Sequence, residues 1–96
     1  MSDTKKSFSP DWATHPGEHI REYLDVWQWT QGDLARAANF SRGEVSDLLS
    51  GKRSVTPAIA LKLEATLGLA AHVWLGLQAN WDLHELRRRE IHGLTI

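Results

Sequence analysis

A chain of 96 residues, 42% hydrophobic and 24% charged, is long enough to build one domain around its own core. The absence of cysteine excludes a disulfide framework, a thiolate zinc site and a cysteine nucleophile. A formal net charge of −1 excludes polyanion binding by bulk charge, yet the charge is uneven: −2 over residues 1–40, +2 over residues 41–62 and −1 over residues 63–96.

Residues 1–14 are polar around Phe8 and Trp12 and read as a flexible N-terminal arm, with Trp12 either docked on the domain or free. No apolar run follows the two lysines, so the start does not read as a signal peptide. No segment approaches the ~18 apolar residues of a membrane span. The expectation is a cytoplasmic protein with no membrane partner.

Pro16 suits a first helical position and Glu18 the first turn after it. Ile20, Leu24 and Trp27 then repeat at i, i+4, i+7, which predicts a helix over residues 16–27 with Trp27 on its inner face. Thr30 and Asp33 have the spacing of a capping box with a shortened acid and open a second helix, which buries Leu34, Ala35 and Ala38 and stops at Asn39. Ser41 and Glu44 form a second capping box, and Val45, Leu48 and Leu49 form the inner face of a third helix that ends at Gly51. Thr56 before Pro57 starts a fourth, faced by Ile59, Leu63 and Leu67 and closed by Gly68. A fifth helix, from about residue 71 to residue 89, carries Val73, Trp74, Leu77 and Trp81 on one side, and its start has no capping side chain. Five helices and no alternating strand pattern define an all-α domain, expected over residues 15–91 with a tail at 92–96.

The second and third helices are short and separated by about three residues. That connection suits two helices crossing steeply, the helix-turn-helix arrangement, here over residues 31–50. Its steric demands are met in turn. Ala35 is small where the helices touch, Asn39 accepts the left-handed turn conformation, Phe40 plugs the corner, and Val45 with Leu48 docks the third helix.

The outer face of that helix then carries Ser41, Arg42, Gly43, Ser46, Asp47 and Ser50. Short side chains permit close approach to a major groove, and Arg42 suits a bidentate contact to guanine. Gly43 is either tolerated in an exposed first turn or required by close fit. Lys52 and Arg53 lie where a flanking strand would pass, as solvated loop residues or phosphate ligands. Gln31 offers a phosphate contact on the other side. Glu44 is accounted for by its capping box, whereas Asp47 either accepts from a cytosine or weakens binding.

The stretch "TQGDLARAANFSRGEVSDLLSGKRSVTPAIALKLEATLG" resembles the Xre/Cro-type (lambda-repressor-like) helix-turn-helix family. The flanking "HPGEHIREYL" and "VWLGLQANWDL" narrow the resemblance to HigA-type antitoxins, over about residues 15–86. The resemblance implies a homodimer that binds double-stranded operator DNA, represses its own operon and neutralises a RelE-like, mRNA-cleaving toxin of the HigB type; a stand-alone Xre-type repressor is the alternative. Three positions depart from the family pattern. Asn39 replaces the turn glycine, Asp47 stands where a basic or neutral residue is common, and Ala70–Ala71 replaces a capped start of the fifth helix, whose first turn should therefore fray.

An enzyme is the contrasting class. His15 and His19 are four apart, but Pro16 and Gly17 interrupt them, and "HPGEH" lacks the acid placement of a zinc peptidase helix. No nucleophile elbow, phosphate loop or carboxylate pair accompanies them, so no catalysis, cofactor or metal is expected. Five tryptophans are many for this length. Trp74 and Trp81, with Leu77 between them, are either core or a dimer or toxin interface, where aromatic residues concentrate. Arg87, Arg88 and Arg89 read as a solvated helix end.

Overall fold

A computed structural model describes residues 13–94. The expected arm, with Phe8 and Trp12, therefore lies outside the described residues except for its last two positions. Five helices follow one another: α1 (Pro16–Trp27), α2 (Gln31–Ala38), α3 (Arg42–Ser50), α4 (Pro57–Leu67) and α5 (Ala71–Leu94). No strand occurs among the described residues.

Each of the first four helices begins at a residue whose side chain accepts from the first turn. His15 Nδ1 accepts from the Gly17 N–H at 2.9 Å, and Pro16 occupies the first helical position. At α2 and α3 both capping boxes close reciprocally: Thr30 with Asp33, Ser41 with Glu44. Thr56 caps α4 ahead of Pro57. Asn39 ends α2 at φ 58°, the left-handed conformation its short amide tolerates.

The core gathers Ile20 and Leu24 of α1, Leu34, Ala35 and Ala38 of α2, and Phe40 of the turn. Val45, Leu48 and Leu49 of α3, Val55 of the segment after it, Ile59, Ala60, Leu63 and Leu67 of α4, and Trp74 of α5 complete it. One expectation is corrected here. Trp27 is 41% exposed rather than core, because α1 ends there and the apolar stripe outruns the neighbouring helices. It instead lies edge-on to Tyr23 and Trp29. Of the two readings open for Trp74 its complete burial fits the core one; it sits beside Tyr23 at 6.1 Å between ring centroids, joining α5 to α1.

The fifth helix also differs from expectation at both ends. Glu64 reaches from α4 and accepts from the Ala71 N–H at 3.2 Å, so a neighbouring helix supplies the cap that the local sequence lacks. At the other end the helix continues past Arg89 to Leu94. Arginine and glutamate are good helix formers, so three arginines in a row do not stop it.

Candidate nucleic-acid interface

The α2–α3 pair is held as a rigid corner. Val45 and Leu48 have essentially no exposed surface, which fixes one face of α3 against the core. At the other end of α3, Gly17 of α1 approaches so closely that a Cβ there would lie 2.5 Å from the Leu48 carbonyl oxygen. Arg21 donates to the Leu49 carbonyl oxygen nearby. Lys62 of α4 donates to the Asn39 carbonyl oxygen at 3.0 Å and lies over the Phe40 ring, so the turn is clamped from outside.

With its inner face docked, α3 presents Ser41, Arg42, Gly43, Ser46 and Ser50 to solvent, and Gln31, Lys52 and Arg53 are exposed around them. The residues expected to contact DNA are thus brought together, with Asp47 only half-exposed among them. A Cβ at Gly43 would approach nothing closer than 3.9 Å, so nothing inside the domain requires glycine there. Glu44 is turned back to the helix start. The Ser41 backbone N–H holds its carboxyl below the usual carboxylate range, and Thr30 does the same for Asp33.

Asp47 has a structural occupation. Its carbonyl oxygen accepts from the N–H groups of Lys52 and Arg53 at 2.9 and 3.1 Å, and its carboxylate lies 3.8 Å from the Arg53 guanidinium. That pair is solvated and adds little stability, but it turns Arg53 toward α3. Lys52 has no such tie among the described residues. Arg42 does not project straight from α3. Its guanidinium lies against α2 at Gly32, where a Cβ would stand 2.9 Å from one of its nitrogens.

Four contributors were not picked out as such in the sequence: Gly32, Lys62, His15 and Gln78. Gln78, nearly fully buried on α5, accepts from the Val55 N–H at 2.8 Å and donates to Asp82 at 3.0 Å, tying the segment after α3 to α5. His15 stands edge-on to Trp81 at 5.4 Å and covers Gly51. Burial lowers its pKa from 6.5, outweighing the pull of Asp82 and Glu18. Leu77 and Trp81 are half-buried against the domain. Among the described residues no group of three or more His, Cys, Asp or Glu is placed to hold a metal ion, and no helix is long and apolar enough to cross a membrane.

A docked helix pair whose second helix faces outward with small polar side chains defines a helix-turn-helix domain. The family described as helix-turn-helix matches residues 28–74. Among curated proteins, the uncharacterized HTH-type transcriptional regulator YddM of Escherichia coli K12 is 37% identical over 79% of this chain and 83% of its own. Antitoxin HigA-1 of Vibrio cholerae is 36% identical over 76% of this chain and 70% of its own. Among solved structures, the Pseudomonas aeruginosa antitoxin HigA with the higBA promoter superposes with a TM-score of 0.80 at 26% identity, over 86% of this chain and 91% of that one. This chain belongs to the Xre-type helix-turn-helix family, with HigA antitoxins among its relatives.

Proposed function

We propose that this protein is an operator-binding antitoxin of a toxin–antitoxin module. As a cytoplasmic homodimer it represses its own operon through α3, and it neutralises a RelE-like, mRNA-cleaving toxin of the HigB type encoded beside it. The observation that carries the DNA-binding half is the outward face of α3, Ser41, Arg42, Gly43, Ser46 and Ser50, fixed by a buried inner face and flanked by Gln31, Lys52 and Arg53. One such helix makes too few contacts for useful specificity, which favours a dimer on two half-sites about one helical turn apart. A relative solved with its promoter and a relative named as an antitoxin support the two halves of the reading.

Leu77 and Trp81 remain candidates for the dimer or toxin interface. The stand-alone repressor is the second reading, favoured by the relative named only as a transcriptional regulator. Two assays separate them: a gel shift on the protein's own promoter, and growth rescue when it is co-expressed with the product of the neighbouring gene. Retardation with rescue supports the antitoxin; retardation with no toxic neighbour supports the repressor; no retardation removes both.

A further inference from the structure

Arg42 is the first residue of α3 and the only arginine on its exposed face, so whether it reads a base decides where specificity resides. Its guanidinium lies against Gly32, with two nitrogens 2.9 and 3.6 Å from the position a Cβ would occupy. Gly32 is buried, although it lies in the first turn of a helix whose neighbouring Gln31 is exposed. A side chain of any size at position 32 would push the guanidinium outward.

No acid rewards Arg42 for lying there. The nearest carboxylate of α2, Asp33, is occupied by the Thr30 N–H and by Arg36. Among the described residues the Arg42 guanidinium has neither a hydrogen-bond acceptor nor an ion-pair partner. It also sits near the positive end of the α2 dipole, where the one acid of the first turn, Asp33, is already engaged and a further anion is favoured. In a docked helix-turn-helix the first helix crosses the DNA backbone and the second enters the groove. An arginine drawn back onto α2 is therefore drawn toward phosphate and away from base edges.

We propose that Gly32 is the seat of Arg42, and that Arg42 so seated binds a backbone phosphate, leaving base discrimination to the smaller groups at Gly43, Ser46 and Asp47. The proposal rests on the operator-binding reading and assigns Arg42 a role different from the guanine contact its sequence position suggests. A phosphate ligand sets affinity and register equally on all sequences, whereas a base ligand discriminates at one position.

The experiment measures binding to a duplex carrying the protein's own promoter and to its single-base-pair variants, at several salt concentrations. Arg42→Ala is expected to weaken binding by about tenfold per subunit. The factor should be the same on every variant, and the log–log salt slope should flatten by about one per subunit. Gly32→Ala should weaken binding several-fold in the presence of Arg42 and have no effect in an Arg42→Ala background. The added Cβ is crowded only by the far end of a flexible side chain, with Thr30 Oγ1 at an ordinary 3.6 Å, so the fold is retained, and an undiminished melting temperature confirms it.

If Arg42→Ala erases the preference for one G·C pair and spares the others, Arg42 reads a base and the proposal is overturned. An equal loss from Gly32→Ala in both backgrounds overturns the seat. Failure of the unsubstituted protein to bind any of the duplexes removes this proposal together with the operator-binding reading, whereas the first two outcomes leave that reading intact.

Discussion

The α2–α3 pair and the frame around it, α1 and α4 packed on the pair with α5 behind them, are stabilised by different means. At α2 and α3 the devices are local: both capping boxes join residues three apart, and Asn39 ends α2 in its own left-handed conformation. Around them the ties are long-range. His15 meets Trp81, Val55 hangs on Gln78, and Gly17 lies against the carbonyls of Leu48 and Leu49. The pair forms its own helix ends, but its orientation is set by residues far away in the chain. Shape and aim are thus separable, and substitutions should divide accordingly.

The largest effect is expected from Trp74→Ala, which empties a fully buried indole position between α1 and α5. Loss of such a side chain costs about 3–5 kcal/mol, read as a shift of the urea midpoint. Trp74→Phe should cost much less, because among the described residues the buried indole N–H has no partner to lose.

Next comes Gly17→Ala. Its Cβ would meet two backbone carbonyl oxygens at 2.5 and 2.7 Å, so α1 must move away from α3, at about 1–3 kcal/mol. Operator affinity should fall in folded protein as well, since the aim of α3 changes. A normal midpoint with normal affinity would mean that the close approach sets nothing.

Gln78→Ala leaves the buried Val55 N–H without its acceptor and should cost about 1–3 kcal/mol. Ser41→Ala removes the local counterpart at α3 and should cost about 1 kcal/mol. Double-mutant cycles sharpen the contrast. Ser41→Ala should couple to Glu44→Ala, and Gln78→Ala to Asp82→Ala, but the two pairs should add independently.

The smallest effect is a pH dependence of the bracing side alone. Folding lowers the His15 pKa from 6.5, so the unfolded chain protonates first as pH falls. The stability His15 contributes is full above that value and is lost as pH falls through 6.5 toward the lowered folded value. His15→Asn keeps a good N-cap without titrating, so its urea midpoint should change less between pH 8 and 5.5 than that of the unsubstituted protein. Equal slopes would mean that His15 does not carry the dependence.

The same division explains what could be read in the sequence. Thr30 with Asp33, Ser41 with Glu44 and the turn residue Asn39 are legible because cause and partner sit within one helical turn. The outward face of α3 follows from those boundaries and from Val45 and Leu48. The cap that Glu64 lends to α5 was not legible, since only the packing of α4 against α5 brings it to Ala71. Gln78 looked like one more polar residue, and its partner Val55 lies 23 positions away. The seat of Arg42 on Gly32 escaped for the same reason, as its parts belong to different helices. Trp27 obeyed the right period but fell where α1 runs out of neighbours.

The contact of His15 with Trp81 has a kinetic consequence. It closes a loop of most of the chain, so the entropy of bringing its ends together must be met before the contact returns anything. Capping boxes make no such demand and can bias short helices while the chain is still open. If the His15 contact forms after the folding barrier is crossed, weakening it will accelerate unfolding and leave the folding rate nearly unchanged. A histidine that barely alters how fast the domain assembles would then govern how long it stays assembled.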